Sequence, residues 1–254
     1  MIVLGGIGKS YRARAGDDVQ ALEDVSLEVR EKEFVSIVGP SGCGKSTLLK
    51  IVAGLVPASR GEVTIRGRAV LEPFPDVGFV FQNAVLLPWR TVLDNVLFSI
   101  EMLGLRGPDH RRRAHELIEL AGLGGFEAKY PWELSGGMQQ RVALCRALVH
   151  DPSVLLMDEP FGALDAMTRE EMSLELLRIW EERKKTILFV THSISEAILL
   201  ADRVVVMTPR PGRLARVLDV GLDRPRAMEM EFDARFKALS NEIRALIFRR
   251  ECPP

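Results

Sequence analysis

The sequence predicts an α/β fold: antiparallel strands first, then a parallel sheet flanked by helices and interrupted by a helical insertion. Three observations predict it. Gly39-Pro40-Ser41-Gly42-Cys43-Gly44-Lys45-Ser46-Thr47 lies between a short apolar run, Glu33 to Val38, and a helical run, Leu48 to Gly54. Val154 to Met157 is a near-continuous apolar run closed by Asp158 and Glu159, which is how a strand buried on both faces of a parallel sheet reads. From Asn83 to about Trp132 the character turns helical.

The first segment, to about Val38, reads as antiparallel strands. Ala21 to Val29 alternates apolar and polar residues, as a half-buried strand does, after a turn at Gly16-Asp17-Asp18. Tyr11 belongs to this early sheet; its ring is either a face for stacking a purine or an ordinary half-exposed strand tyrosine. The glycines of 39–44 let the backbone turn successive N–H groups toward anionic oxygens, and the helix that follows adds unpaired donors and a positive dipole end. The stretch fits G-x-x-x-x-G-K-[ST] in its strand-to-helix context, so it binds a nucleoside triphosphate. Lys45 then reaches the β- and γ-phosphates, and the Ser46 hydroxyl ligates Mg²⁺.

Gly61 to Gly67 and Val77 to Gln82 read as two further strands. Gln82, ending the second, either ligates Mg²⁺ or orients a water through its amide oxygen, or is a plain surface residue. In the helical insertion, Leu86, Leu87 and Trp89 either dock a partner or pack inside, and Arg111-Arg112-Arg113 reads as a solvated helix face. Leu134-Ser135-Gly136-Gly137-Met138 precedes a helix running from Gln139 to about His150. Ser135, Gly136 and Gly137 form either a second anion-binding helix end or a simple N-cap.

Asp158 and Glu159 fall at the carboxyl end of their strand, where ligands sit in open α/β sheets. Asp158 suits Mg²⁺ held through water, and Glu159 suits the general base for an attacking water. Thr186 to Thr191 is the next strand and places His192 at a carboxyl edge; His110, His115 and His150 read as surface residues. Arg203 to Met207 is one more strand, Pro209 to Arg213 a turn, and Phe232, Phe236, Leu239, Ile243 and Leu246 have the spacing of one helix face.

Bulk properties narrow the function. The 254 residues can bury a full core, and 34 basic against 35 acidic residues create no global field for nucleic acid or an anionic membrane. No apolar run has the length to cross a bilayer, and the N-terminus lacks the basic start and apolar run of a signal peptide. Cys43, Cys145 and Cys252 are odd in number and far apart, which fits a reducing cytoplasm rather than a disulfide framework.

Taken in order, these stretches resemble the nucleotide-binding subunit of an ABC transporter over nearly the whole chain. Tyr11 is similar to the adenine-stacking aromatic, Gly39 to Thr47 to the P-loop, and Gln82 to the Q-loop glutamine. Leu134 to Met138 resembles the signature, Val154 to Glu159 the Walker B strand, Ala163 to Asp165 the D-loop, and His192 the switch histidine. Met138 departs from the usual glutamine, which puts any contact of that amide in doubt.

The resemblance implies a P-loop NTPase fold with a RecA-like core. Residues 1–82 and 138–230 would be the catalytic core with its β-subdomain, 83–137 the helical subdomain, and 231–254 a helical tail. It also implies ATP and Mg²⁺ as cofactors, and head-to-tail pairing with a second copy so that each ATP meets one P-loop and the other subunit's signature. The permease would be a separate membrane protein, served by a periplasmic or lipid-anchored solute-binding protein, with this chain on the cytoplasmic face of the inner membrane. Leu86-Leu87-Pro88-Trp89, Asp94-Asn95-Val96 and Pro209-Arg210-Pro211-Gly212-Arg213 resemble the nitrate/sulfonate/taurine importer group. The alternative is a soluble ABC ATPase acting on nucleic acid or ribosomes, but the two cassettes or long basic insertions of that class are missing. A GTPase would need Asn-Lys-x-Asp, which does not occur.

Overall fold

The computed structural model describes residues 1–12, 18–162 and 164–248. Gly16, Asp17, Ala163 and Cys252 lie outside them. In chain order the elements are β1 (Ile2–Tyr11), β2 (Val19–Val29), β3 (Phe34–Val38), α1 (Lys45–Val52), β4 (Arg60–Ile65), β5 (Arg68–Ala69) and β6 (Val77–Val80). They continue with α2 (Val92–Met102), α3 (Asp109–Leu120), α4 (Gly136–Leu148), β7 (Val154–Asp158), α5 (Ala166–Arg183) and β8 (Thr186–Val190). The last are α6 (Ile194–Leu200), β9 (Arg203–Met207), β10 (Leu214–Asp219) and α7 (Ala234–Phe248). Two compact units result, Met1–Phe74 with Thr186–Pro254, and Pro75–Lys185.

The first unit holds an antiparallel sheet ordered β2-β1-β4-β5. Its alternation is visible in β2, where Leu22, Val25, Leu27 and Val29 turn inward. In the same unit β3 pairs in parallel with β8 and β9, and β10 runs antiparallel along β9. β3 and β8 are buried along their whole length, so continuous apolar runs are what these positions need. Glu33 and Arg203 tie the starts of β3 and β9 together through a forked pair at 2.6 and 2.9 Å. The Glu33 carboxylate in turn raises the Arg203 pKa.

α1 packs Leu48, Leu49, Ile51 and Val52 inward, each contributing about 1.5–3 kcal/mol of burial. It stops at Gly54, whose φ of 72° allows Gly54 N–H to donate to Ile51 and Leu55 N–H to Lys50, a Schellman ending. A Cβ there would run into the Glu72 carbonyl. α6 is closed by the buried Arg226, which donates to the Ile198, Leu199 and Ala201 carbonyls. Burial holds the Arg226 pKa down to about 10. α7 packs Phe236, Leu239 and Ile243. Phe232, expected on that face, sits before the helix in a 3₁₀ turn and is exposed.

The second unit pairs β6 and β7 in parallel. α4 packs on β6 so closely that a Cβ on Gly78 would meet the Ala147 carbonyl, which explains a glycine inside a strand. α2, α3 and α4 pack on one another through Val92, Val96, Ala114, Leu117, Ile118 and Leu144. Cys145 is buried among them, and burial pushes its thiol up to about 12, so it is a core residue rather than a reactive one.

Two sequence-based expectations fail in this unit. His150 is not a surface residue: both ring nitrogens are buried, and burial lowers its pKa. The arginine run is not uniformly solvated either, because Arg113 turns in to donate to Asp151 at 2.6 Å. Lys185 donates to the same carboxylate oxygen at 2.6 Å.

The Arg113 hydrogen bond, with help from Lys185, holds Asp151 down to about 2. The unfolded value is about 3.9, so the folded pKa is the lower one. The stabilisation is therefore complete above about pH 4 and lost as pH falls toward 2. Asp151→Asn should lower stability near neutral pH, and urea titrations should show its difference from wild type shrinking across that acid window.

Candidate nucleotide-binding site

In the first unit the cradle, residues 39–44, joins β3 to α1. Gly39 sits so close to Met207 that a Cβ would lie 2.9 Å from its carbonyl oxygen. Gly44, at φ 104°, has Leu22 Cδ2 2.6 Å from where a Cβ would stand. Both glycines are thus required by packing, and Gly44 by its left-handed backbone as well. Ser41 and Gly42 are exposed, Pro40, Ser46 and Thr47 half-buried, and Cys43 buried. Lys45 is only 5 % exposed. Its ammonium donates to the Gly39 and Pro40 carbonyls at 2.9 and 3.1 Å, bonds that a phosphate oxygen can replace one for one.

The register Ile37↔Val190 places His192 level with Gly39, each two residues past that pair. His192 is exposed, and the turn under it is pinned. Thr191 N–H donates to Ile37, Thr191 Oγ1 donates to Glu196 at 2.6 Å, and Ser193 caps α6. Tyr11 ends β1 with its ring 40 % exposed and the Lys9 ammonium 5.1 Å from the ring centroid.

The second unit repeats the edge arrangement. Val80 pairs with Met157, so Gln82 and Glu159 emerge level with each other, and Gln82 Nε2 donates to Glu159 Oε2 at 3.3 Å. Asp158 is buried at 6 % exposure. Glu159 has φ 44°, a left-handed backbone that a glutamate holds only under constraint, as residues at working sites often do. Further on, Asp165 caps α5 by accepting from the Thr168 N–H, which also lowers its pKa. Arg169 holds the preceding loop through the Phe161 and Leu164 carbonyls.

Ser135 caps α4, accepting from Met138 N–H at 3.3 Å. The helix begins at Gly136 rather than Gln139, so both glycines lie in its first turn. They differ in kind. A Cβ on Gly137 would stand 2.7 Å from Thr168 Cγ2, whereas a Cβ on Gly136 would meet nothing within 4 Å among the described residues. Gly137 serves packing; Gly136 leaves open space over a helix N-terminus.

The family model described as ABC transporter matches residues 22–162. The chain belongs to the ABC transporter family. A relative named taurine import ATP-binding protein TauB, from Rhizobium johnstonii, is 47% identical over 95% of this chain and 94% of its own length. The aliphatic sulfonates import ATP-binding protein SsuB of Bacillus cereus is 45% identical over 91% of this chain and 90% of its own. Among solved structures, the dimeric ABC transporter cassette MJ0796 is similar with a TM-score of 0.78 and 37% identity, covering 88% of this chain and all of that one. The same cassette in a post-hydrolysis state bound to ADP and Pi gives a TM-score of 0.77 at 36% identity.

Within this ABC chain, the hydrogen bonds that hold the segment after β6 escaped sequence reasoning. Asn95, wholly buried, accepts from Leu87 N–H at 2.8 Å and donates to the Leu87, Arg90 and Thr91 carbonyls. Arg146 donates to the Ala84 and Val85 carbonyls, and Gln140 to that of Phe81. Held this way, the 84–91 segment presents Val85 and Trp89 at 60% and 70% exposure, with Leu86 and Leu87 half-buried. Asn95 was singled out by pattern, but its bonds depend on a fold that pattern does not reveal.

The Gly137–Thr168 contact makes a test. Thr168 is fixed by hydrogen bonds to Asp165, so its methyl cannot swing aside. Gly137→Ala should destabilise the chain by about 1–3 kcal/mol in urea unfolding, the usual scale of overpacking. Adding Thr168→Ser, which keeps the hydroxyl and removes the methyl, should recover most of it.

Proposed function

We propose that this chain is the ATP-hydrolysing subunit of an ABC importer for a small sulfonate-like anion, taurine being the first to try. The Gln82–Glu159 hydrogen bond at the edge of two parallel strands carries the hydrolytic part, because it holds a candidate base against a candidate metal-ligating amide. The relatives' names, over nearly the whole chain, support the transport part.

The donor set fits the cofactors. Gly39 to Thr47 offers backbone N–H groups, Lys45 and a helix N-terminus to phosphate oxygens. Ser46, Gln82 and Asp158 offer hydroxyl, amide and carboxylate oxygens, the hard ligands that Mg²⁺ takes alongside phosphate and water. In this reading Lys45 binds the β- and γ-phosphates, and Tyr11 stacks on the adenine. Glu159 takes a proton from the attacking water, and His192 hydrogen-bonds the γ-phosphate. Bound Mg²⁺ supplies charge neutralisation for the leaving phosphates.

Ser135, Gly136 and Gly137 face the nucleotide of a second copy in a head-to-tail dimer. The open space over Gly136 supports this, since an approaching phosphate needs a helix end without a side chain in the way. Met138 takes no part beyond its N–H. The exposed Trp89 and Val85 dock on a membrane permease. Among the described residues no helix is long and apolar enough to cross a membrane. A solute-binding protein on the far side completes the system, with this chain at the cytoplasmic face.

Glu159→Gln should bind ATP, elute as a dimer in size-exclusion chromatography, and lose turnover by about a hundredfold or more, the scale of general-base catalysis. Lys45→Ala should lose nucleotide binding itself. Normal turnover in either variant contradicts the assigned roles.

Purification from native membranes in mild detergent tests the transport part. A multi-helix membrane protein should come with the chain in equal amount. Trp89→Glu should reduce that recovery while the isolated ATPase still turns over. Recovery with ribosomes or nucleic acid instead would favour the soluble alternative.

A further inference from the structure

The turn at residues 209–213 lies against the phosphate cradle in the same unit. Val38 pairs with Val206, so the chain leaving β9 emerges beside the chain leaving β3. Thr208 and Arg213 close the turn, Thr208 N–H donating to the Arg213 carbonyl and Arg213 N–H to Thr208 Oγ1, both at 3.0 Å. Gly212 exchanges backbone hydrogen bonds with β2, donating to Ala21 and accepting from Glu23. A Cβ on Gly212 would collide with the Cys43 carbonyl. The exposed Arg210 lays its guanidinium over the cradle, and Nε and Nη2 both donate to the Gly42 carbonyl, at 3.2 and 3.0 Å.

That carbonyl is the one whose direction matters. Gly42 has φ 73°, and a glycine at such a turn can let its following peptide rotate at small cost. The C=O of Gly42 and the N–H of Cys43 belong to one planar peptide and point in opposite directions. Arg210 holds the C=O outward, so Cys43 N–H points into the loop, where it donates to the Pro40 carbonyl at 3.3 Å.

We propose that the 209–213 turn is a brace that presets the phosphate cradle, with Arg210 as its positioning residue. It fixes an N–H direction that a bound phosphate would otherwise have to select, and affinity gained this way is preorganisation. A fork of two donors on one oxygen fixes an orientation that a single ammonium does not. The proposal rests on the nucleotide-binding reading of the cradle.

The test compares wild type with Arg210→Ala and Arg210→Lys. Calorimetric titration should show Arg210→Ala weakening MgADP and MgATP by the same factor, about five- to tenfold, the scale of one or two solvent-exposed hydrogen bonds to a charged donor. The loss should sit in KM for ATP more than in kcat, and Arg210→Lys should recover only a minor part of it. Unchanged affinity in Arg210→Ala overturns the brace, and full recovery by lysine overturns it in favour of bare charge. Hydrogen exchange of the Cys43 amide without nucleotide separates this inference from the reading beneath it. Faster exchange in Arg210→Ala supports the brace even if wild type bound no nucleotide, and unchanged exchange overturns it.

Discussion

Parallel register is the constraint on which the rest depends. In a strand every side chain alternates faces, so a slip of one residue would send every side chain of the element into the opposite packing layer. Burial on both faces of β3, β7 and β8 removes the alternative pairings. Ile37↔Val190 in one unit and Val80↔Met157 in the other then decide which residues emerge level at each carboxyl edge. The cradle and His192 share one edge, and Gln82 and Glu159 share another. No chemistry is needed to bring these groups out together; apolar packing does it.

Around each edge, polar side chains convert strand position into loop shape. Glu196 and Ser193 fix the turn beneath His192. Asn95, Gln140 and Arg146 fix the chain after β6, and Arg169 fixes the loop before α5. Most of these bonds run from a side chain to a backbone carbonyl or N–H, so the loops they hold need no regular structure of their own. Burial lowers the Arg146 pKa, but an arginine stays charged under such a shift, and the carbonyls it meets compensate part of the lost hydration.

The fold class was legible in the sequence, and so were the positions of the residues proposed to face a nucleotide, because their signals are local. Gly39 to Thr47 carries its chemistry in one short run, and Asp158 and Glu159 close an apolar strand that announces itself. The supporting residues were not legible. Gln140 and Arg210 reach backbone that is close only after folding, Glu196 accepts from the Thr191 hydroxyl, and a lone glutamine or arginine on a helix or turn reads as surface. His150 was misread for the same reason, since its burial comes from packing around the end of α4. β10, α5 and α6 were missed too; in α5 the buried Met172, Leu176, Leu177 and Trp180 are dispersed through a heavily charged stretch that masks their period. Phe232 shows the opposite error, an apolar residue with helical spacing that the helix does not include.

The two adjacent glycines at the start of α4 answer to different authorities. Gly137 is required by a methyl group of its own chain, so any change there can be compensated by a second change a few ångströms away in the same polypeptide. A Cβ on Gly136 would meet nothing within 4 Å among the described residues, so in the proposed dimer any requirement for glycine there comes from the second copy. A library selected only for folded, soluble protein would therefore hold position 137 and let position 136 drift. Selection for the assembled machine would hold both, and the difference between the two libraries would mark the foreign surface residue by residue.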